Sequence, residues 1–226
     1  MKIVFISDTH GYLPMDLPEG DILCICGDIF PLSIQTNMNK CEDWLEDKFI
    51  PWTIELPFKE VIIIAGNHDF YFEAMEPIDP IVKFQGTKIN YLQDSWVMIG
   101  GVKFYGTPWC HQFGRWAFMQ PDEWMERRFA TIPENVDFLL THDAPYGTSD
   151  ICLQLTRFVS HDHIGNKPLR DAIITKHPKY VIHGHLHSSA HAMEMLEGSE
   201  VYNASLLNEN YEPVYEPLVI EYERTT

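Results

Sequence analysis

Residues 61–64 form a run of four β-branched apolar side chains, Val-Ile-Ile-Ile. Such a run predicts a β-strand that is buried on both faces, as strands are in the parallel sheets of α/β proteins. The run is followed by Gly66, where the backbone can turn tightly, and then by an amide, an imidazole and a carboxylate. These three polar residues are Asn67, His68 and Asp69. Because α/β proteins present functional groups at the carboxyl edge of the sheet, the stretch predicts chemistry there.

The same pattern, an apolar strand followed by polar side chains, recurs four more times. The predicted strands cover residues 2–7, 21–26, 136–141 and 180–182. The polar groups that follow all five strands make seven candidate metal ligands: Asp8, His10, Asp28, Asn67, His142, His185 and His187. If the backbone after a strand stays extended, side chains two residues apart point the same way, and one segment then offers two ligands to one centre.

The donor types in this set indicate a transition-metal site rather than a calcium site. Carboxylate, amide and imidazole groups without a thiolate suit Mn²⁺, Fe²⁺, Zn²⁺ or Ni²⁺. Seven donors exceed the number that one tetrahedral zinc ion needs, so the set fits two ions that share a bridging carboxylate. His68 is left beside the metals, where it is suited to donate a hydrogen bond or a proton to a substrate. Asp69 is the candidate for its orienting partner.

The order of the predicted elements indicates an α/β protein with mixed sheets and helices outside them. The predicted helices cover residues 36–58, 73–83 and 121–130, and a further one begins near residue 168. We expect the first helix to be interrupted at Pro51. Gly100 and Gly101 predict a hairpin turn, and the alternating residues 190–223 predict antiparallel strands. Because no repeat or linker divides the chain, we expect one domain over residues 1–226.

The net charge of −17, from 16 basic and 33 acidic residues, narrows the range of partners. Its field repels nucleic-acid backbones and membrane phosphates, whereas bound metal ions can reverse the charge locally for a small phosphorylated substrate. No apolar run approaches the ~20 residues that cross a bilayer, and the apolar residues 3–6 are too few for a signal peptide. With five cysteines in no metal-binding pattern, we expect a cytoplasmic protein with reduced thiols, whose oligomeric state stays open.

The motifs at the strand ends also resemble those of a known family. In chain order they are Asp8-x-His10, Gly27-Asp28, Gly66-Asn67-His68-Asp69, His142 and Gly184-His185-x-His187. The set is similar to that of the calcineurin-like metallophosphoesterase superfamily. The resemblance implies an α/β fold, a single-domain four-layer αββα sandwich in which two mixed β-sheets are flanked by helices. It also implies a dinuclear metal site on loops at one edge.

The same resemblance implies a role for each of these residues. The ligands would be divided between two ions as follows: Asp8, His10 and His187 for one, Asn67, His142 and His185 for the other, and Asp28 as the bridge. A metal-bridging hydroxide would attack phosphorus in line, while His68 would stabilise the oxyanion or protonate the leaving group. Manganese is the favoured metal.

Two further segments, residues 106–109 and 202–205, resemble a smaller subgroup. This subgroup contains single-domain metallophosphodiesterases related to class III cyclic-nucleotide phosphodiesterases. With the aromatic residues 108–118, these segments supply three candidate substrate-binding residues: Trp109, Arg115 and Asn203. The aromatic rings could stack on a nucleobase or aryl group, with core packing as the alternative. Whether residues 108–118 form a lid is left open.

We expect a phosphodiesterase for small, nucleotide-like substrates, because the sequence shows no obvious arginine clamp for a dianionic phosphate. Arg115 could supply such a clamp, so a phosphomonoesterase is the alternative. After Asp28 the chain continues Ile-Phe-Pro-Leu. Phosphoprotein phosphatases of the superfamily have an aspartate–arginine–glycine run there, which argues against that activity. A dinuclear hydrolase of a non-phosphorus bond is a further alternative, and a non-catalytic binding scaffold would be expected to lack ligands that are all present here.

Overall fold

The computed structural model describes residues 1–75, 78–151, 163–189 and 191–223. Within these ranges the strands are β1 (Lys2–Ile6), β2 (Ile22–Cys26), β3 (Glu60–Ile64), β4 (Ile89–Tyr91), β5 (Ser95–Ile99), β6 (Val102–Thr107), β7 (Cys110–His111), β8 (Met119–Gln120), β9 (Phe138–Thr141), β10 (Tyr180–His183), β11 (Glu194–Leu196), β12 (Ser199–Asn203) and β13 (Leu218–Glu221). The α-helices are α1 (Met38–Trp44), α2 (Ile50–Glu55), α3 (Phe70–Glu73), α4 (Ile78–Lys83), α5 (Asp122–Phe129) and α6 (Lys167–Lys176).

The first sheet contains five strands in the order β13-β1-β2-β3-β4. β1 to β4 run parallel, in a register that pairs Phe5 with Cys24 and Cys24 with Ile62. β13 runs antiparallel beside β1 and closes that edge. Because four parallel strands end at the same edge, the polar residues that follow β1, β2 and β3 are brought together there.

The second sheet contains six strands in the order β11-β12-β10-β9-β6-β5. Its four central strands are parallel, and antiparallel hairpins flank them on both sides. Gly100 and Gly101 have φ values of 58° and 82° between β5 and β6, which confirms the predicted hairpin turn. The prediction of antiparallel strands over residues 190–223 is only partly right. β12 pairs in parallel with β10, because the edge strand β11 comes between them in the chain and a hairpin from β11 leads back to the position beside β10.

Three apolar layers separate the two sheets from each other and from the helices. Successive residues of a strand point to opposite faces, so Phe5 packs between the sheets while Val4 packs outward. Between the sheets, the rings of Phe104 and Phe138 stack with centroids 5.1 Å apart. α1 and α2 cover the outer face of the first sheet, and α5 and α6 cover that of the second. This is the predicted αββα sandwich of two mixed sheets.

The helix predicted over residues 36–58 is not interrupted at Pro51. A π-helical stretch, Leu45–Phe49, joins α1 to α2. Pro51 lies in the first turn of α2, where a missing backbone N–H is tolerated. The prediction was wrong because a π-helical turn redirects the backbone hydrogen bonds locally, and the spacing of apolar residues does not reveal such a turn.

The expectations about the cysteines and about membrane crossing can be compared with the residues that the structure describes. The described cysteines are buried and free, in agreement with reduced thiols: Cys24, Cys26, Cys41 and Cys110. Cys152 lies outside the described residues. No described helix has the length and apolar character that a membrane crossing requires.

Candidate metal centre

The seven predicted ligands come together on loops at the edge where the parallel strands of both sheets end. The loop after β1 is bonded to the loop after β2, because the N–H of Asp8 donates to the carbonyl of Gly27 (3.1 Å). The loops after β9 and β10 are joined in the same way, with the N–H of Gly184 donating to the carbonyl of His142 (3.1 Å). These bonds hold neighbouring loops in a fixed arrangement.

The backbone at several ligands is left-handed rather than extended. The φ angles are 54° at Asp8, 43° at His10, 55° at Asp28 and 69° at His185. Non-glycine residues rarely adopt this conformation, which costs of order 1–3 kcal/mol each, so the surrounding bonds must hold it. The expectation of an extended backbone at these pairs is therefore wrong. Asp8 and His10 still lie in one group, whereas His185 and His187 lie in different groups.

Glycines beside the ligands leave room for the carboxylates. A Cβ atom at Gly66 would overlap the side chain of Asp28, and one at Gly184 would overlap that of Asp8. In these two motifs the glycine before the ligands therefore lets the backbone approach a neighbouring carboxylate closely.

The first group consists of Asp8, His10 and His187, whose ligand atoms all lie within 4.8 Å of one another. His187 donates from Nδ1 to the carbonyl of Asn208 (3.0 Å), which leaves its Nε2 facing Asp8 Oδ1 at 3.3 Å. Both ring nitrogens of His10 are buried without a hydrogen-bond partner. A buried polar atom without a partner is unfavourable, and a bound cation would satisfy it.

The second group contains Asn67, His142 and His185. His142 donates from Nδ1 to the carbonyl of Cys26 (2.8 Å), so its Nε2 faces Asn67 Oδ1 at 3.0 Å. The imidazoles of His142 and His185 meet edge to face, with centroids 5.2 Å apart. Cys110 also lies within this group, and burial raises the pKa of its thiol well above the usual value, so it is a neutral thiol in the metal-free protein.

Asp28 lies between the two groups. Its Oδ2 is 3.8 Å from Nε2 of His10 and 3.3 Å from Nε2 of His142. Its Oδ1 accepts a hydrogen bond from the backbone N–H of His68 (2.7 Å). The carboxylate is buried and is thus fixed in a position from which one oxygen can face both groups.

Asn203, a candidate for substrate binding, is used inside the protein instead. Its side chain is buried, its Nδ2 donates to the carbonyl of Leu186 (2.8 Å) and its Oδ1 accepts from the N–H of Ser205 (3.0 Å). The hydroxyl of Ser205 in turn donates to Asp8 Oδ2 (2.7 Å). Asn203 therefore supports the loop that carries His185 and His187 and, through Ser205, the carboxylate of Asp8. The expectation that it contacts substrate is wrong, because both ends of its amide are occupied.

The charges of the centre favour cations. Burial alone would raise the pKa of Asp28, but His142, His68 and His10 hold that pKa well below its usual range. Burial lowers the pKa of His10 to about 4 against the pull of Asp28, and it also lowers that of His185 to about 4. Two neutral imidazoles thus lie beside an ionised carboxylate, which is the protonation state that metal ligands need.

His142 and His187 show the opposite shift. Burial acts to lower their pKa values, but the charge of Asp28 raises the pKa of His142 to about 10. The hydrogen bond and charge of Asp8 likewise outweigh burial and raise the pKa of His187 to about 9. In the metal-free protein these two imidazoles are therefore protonated, and their positive charges balance the carboxylates that metal ions would otherwise balance.

His68 lies at the rim of the centre, with its Nε2 3.9 Å from Asp28 Oδ2. Its Nδ1 donates to Gln35 Oε1 (2.6 Å), so Gln35 is the residue that orients its ring. Gln35 is a single polar residue in a loop, and no motif in the sequence singles it out. The orienting role expected of Asp69 is wrong.

Asp69 is buried, and its carboxylate accepts hydrogen bonds from backbone N–H groups rather than from His68. The donors are Asp28 (2.8 Å), Ile29 (2.9 Å), Phe30 (3.3 Å) and Gly66 (2.8 Å). These bonds tie the loop after β2 to the loop after β3. Asp69 therefore positions the loops that carry Asp28 and Asn67.

The aromatic segment divides into rings that pack inside and rings that face the centre. Trp109 donates from Nε1 to Asp94 Oδ2 (2.8 Å) and packs edge to face against Phe118 and Trp124. These contacts pack the partly buried ring of Trp109 against the core, which favours core packing over the expected stacking on a substrate. Trp116, by contrast, lies 4.5 Å from the ring of His68 and is 38% exposed.

Two more residues of the same segment are exposed. The ring of Phe113 lies 5.2 Å from that of His185 and is 51% exposed. Arg115 is exposed and makes no ion pair with any residue that the structure describes. Arg115 therefore stays a candidate for substrate binding, and the rings that face the centre are those of Phe113 and Trp116.

The donor set fits divalent metal ions on the evidence of the structure itself. Asp8 and Asp28 are buried carboxylates, and in both the neighbouring histidines keep the pKa low against the effect of burial. The partnerless nitrogens of His10 and the hydrogen bonds that leave Nε2 of His142 and His187 directed inward complete a set typical of transition-metal centres.

Comparisons with known proteins agree with this geometry. The sequence model of the calcineurin-like phosphoesterase family matches residues 1–189. Human metallophosphoesterase domain-containing protein 1 is 31% identical over 243 residues, which cover 97% of this chain and 70% of that protein. UPF0046 protein C25E10.12 of Caenorhabditis elegans is 29% identical over 239 residues, covering 98% and 80%.

A solved structure, that of TT1561 from Thermus thermophilus, shares the fold, with a TM-score of 0.58 and 16% identity over 89% of this chain and 88% of that one. The family match covers all seven candidate ligands as well as His68. The chain belongs to the calcineurin-like phosphoesterase family.

Proposed function

We propose that this chain hydrolyses phosphoester bonds with two divalent metal ions bound at the shared sheet edge. The observation that carries the proposal is the position of Asp28, whose Oδ2 lies 3.8 Å from His10 Nε2 and 3.3 Å from His142 Nε2. A carboxylate between two imidazole groups suits a pair of ions that share a ligand. The residues that would hold the ions are Asp8, His10 and His187 for the first, Asn67, His142 and His185 for the second, and Asp28 for both.

When bound, two such ions supply positive charge to the phosphoryl oxygens and make a water molecule more acidic. The residues of the chain fix the geometry around them. His142 and His187 donate from Nδ1 to backbone carbonyls, which keeps Nε2 of each ring directed at the centre. Gln35 fixes the ring of His68 in the same manner, so that protonated His68 holds at Nε2 the proton that the leaving oxygen takes.

We propose small phosphodiesters as the substrates. Among the described residues, no lysine or arginine forms an ion pair with Asp8 or Asp28, and Arg115, the candidate for a phosphate clamp, is exposed. A diester carries one negative charge fewer than a phosphomonoester dianion, and so it needs less positive charge from the protein. The exposed rings of Phe113 and Trp116 support a substrate with a flat, nucleotide-like group.

The identity of the metal and of the partners is part of the same proposal. Imidazole and carboxylate donors without a thiolate suit Mn²⁺, Fe²⁺, Zn²⁺ and Ni²⁺, of which we favour Mn²⁺. The net charge of −17 disfavours nucleic-acid polymers and anionic membranes as partners. We therefore propose a small phosphorylated molecule as the substrate. The free thiols of the described cysteines support the cytoplasm as the site of action.

The experiment that tests this function combines metal analysis with turnover in the presence of Mn²⁺. The substrates are bis-p-nitrophenyl phosphate, a diester, and p-nitrophenyl phosphate, a monoester. We expect two ions per chain and a higher kcat/KM for the diester. A preference for the monoester would favour a phosphomonoesterase and make Arg115→Ala the next variant. Absence of both metal and turnover would favour a binding scaffold and overturn the proposal.

A further inference from the structure

Tyr211 lies at the solvent-facing side of the metal centre, in a loop that no sequence motif marks. Its ring meets the imidazole of His10 edge to face, with centroids 5.0 Å apart and planes at 89°. It meets that of His187 in the same way, at 5.6 Å and 86°. The side chain is nevertheless 44% exposed. Tyr211 thus touches two candidate ligands of one ion and also faces solvent.

The backbone of Tyr211 is held in a conformation that tyrosine rarely adopts. Its φ is 62°, in the left-handed region that favours glycine or asparagine. Asn208 enforces this turn, since its carbonyl accepts the N–H of Tyr211 (2.8 Å) and its Oδ1 accepts the N–H of Glu212 (3.0 Å). The carbonyl of Asn208 also accepts the Nδ1 proton of His187 (3.0 Å). One turn therefore orients a ligand and aims Tyr211 over it.

A strained, half-exposed tyrosine is a poor choice for stability alone. Asparagine or glycine would fit the turn with less strain, so the phenol ring must contribute something other than backbone geometry. Among the residues that the structure describes, no hydrogen bond is made by its hydroxyl.

We propose that Tyr211 is a substrate-binding residue whose phenol hydroxyl donates a hydrogen bond to a phosphoryl oxygen of the ester at the metal centre. The inference rests on the proposed hydrolysis of phosphoesters. A phosphoryl oxygen is a strong, negatively charged acceptor, and hydrogen bonds to charged acceptors are the strong ones. A neutral donor also suits the single negative charge of a diester, for which the centre needs no arginine clamp.

The test compares Tyr211→Phe, which loses only the hydroxyl, with the wild type and with Tyr202→Phe as a matched control. The hydroxyl of Tyr202 donates to Glu200 (2.8 Å), outside the metal centre. For Mn²⁺-loaded Tyr211→Phe we expect two ions per chain and a decrease of about 10- to 100-fold in kcat/KM for bis-p-nitrophenyl phosphate. The control should stay within about twofold of the wild type.

Tyr211→Asn separates substrate binding from a structural role. Asparagine tolerates the left-handed turn, so we expect the thermal midpoint of the metal-free chain to stay unchanged or rise while kcat/KM falls at least as far as in Tyr211→Phe. The inference is overturned if Tyr211→Phe matches the wild type in kcat/KM. It is equally overturned if both variants lose metal in step with activity, since the ring would then only support the ligands.

Failure of the proposed function would give a different result. If the wild type binds two ions but cleaves neither nitrophenyl ester, the hydrolase proposal fails, while binding of inorganic phosphate still tests Tyr211. We expect titration calorimetry to show phosphate bound about 10-fold more weakly by Tyr211→Phe than by the wild type. Equal phosphate affinity for the two proteins would contradict the role of the hydroxyl.

Discussion

The loops that carry the candidate ligands and the loops that surround them are held in place by different means. Each ligand loop begins where a buried strand ends, and backbone bonds such as that from Asp8 to Gly27 join it to its neighbour. Residues 111–117 and 208–212 lie beyond the ends of these buried strands, and single side chains such as Asn208, whose Oδ1 accepts from the N–H of Glu212, help to fix them. A strand therefore decides where a candidate ligand lies, whereas a few side-chain contacts help to decide which residue faces the metal centre.

Trp109 and Trp116 show the consequence of this difference within one segment. Both belong to the same aromatic stretch and look equivalent in the sequence. Asp94 binds the indole of Trp109 and draws it into the core, whereas Trp116 lies against His68 with more than a third of its surface exposed. Composition could predict an aromatic rim at this site, but only the contacts show which rings form it.

The largest effect is expected when the shared ligand is neutralised. Asp28→Asn keeps the shape of the side chain but removes the charge between the two groups, so we expect loss of both ions and a decrease in kcat/KM of more than about 10³-fold. Metal analysis and turnover measure these two quantities. Asp47→Asn, at an exposed position, is the matched control and should behave as the wild type. A fully metallated Asp28→Asn would show that the carboxylate is not shared.

A smaller effect, confined to turnover, is expected when His68 at the rim of the centre is replaced. His68→Ala removes the proposed proton donor but no proposed ligand, so kcat should fall by roughly 10²- to 10⁴-fold while the metal content stays at that of the wild type. Steady-state kinetics with parallel metal analysis distinguish a loss of turnover from a loss of metal. Unchanged turnover would remove His68 from the mechanism, and a loss of metal would place it among the ligands.

Metal affinity is expected to depend steeply on pH. The pKa values of about 10 for His142 and about 9 for His187 mean that both imidazoles are protonated at pH 7 in the metal-free chain. Ligands must be neutral, so binding of both ions displaces these two protons, and the overall association constant for the two ions rises by about 100-fold per pH unit between about pH 4 and pH 9. His10 and His185, with pKa values of about 4, contribute no protons at pH 7.

Calorimetric titration with Mn²⁺ in buffers of different ionisation enthalpy counts the released protons directly. A release near two protons per chain at pH 7 agrees with the charges described here. Binding without proton release would mean that Asp28 and Asp8 do not hold these imidazoles in the charged form.

The smallest effect on turnover is expected within the aromatic segment. Trp116→Ala should lower kcat/KM for bis-p-nitrophenyl phosphate about 10-fold, with less effect on methyl p-nitrophenyl phosphate, because one aryl group loses its stacking surface. Trp109→Ala should instead lower the free energy of unfolding by about 3 kcal/mol and leave kcat/KM of the folded enzyme unchanged. Denaturant unfolding and kinetics on both variants test the division. Equal changes in unfolding free energy and in kcat/KM for the two variants would contradict this distinction between Trp109 and Trp116.

The sheets and the positions of the ligands could be predicted because strong local signals specify them. The β-branched run before Gly66 forms β3, and apolar runs before Asp8 and Asp28 form β1 and β2, so the polar residues that follow must meet at one edge. The relation between a parallel sheet and its carboxyl edge needs no knowledge of tertiary contacts.

The conformation of the loops could not be predicted in the same way. The N–H of the left-handed residue His185 donates to Asp8, 177 positions away, whereas the turn at Tyr211 is held by nearby Asn208, and no apolar pattern predicts either. His185 and His187 therefore separate into two groups although an extended chain would align them. The pairing of Gln35 with His68 spans 33 positions and has no sequence pattern. Asp69 follows His68 in the chain, but its carboxylate turns to backbone amides because four N–H donors surround it.

We propose above all that Asp28 joins two metal ions at the shared edge of the sheets. A crystal structure of the Mn²⁺-loaded protein, with anomalous differences recorded at the manganese absorption edge, tests it most directly. We predict two anomalous peaks about 3.5–4 Å apart, one beside Asp8, His10 and His187 and the other beside Asn67, His142 and His185, with Asp28 between them. A single peak, or two peaks that do not share Asp28, would contradict the account.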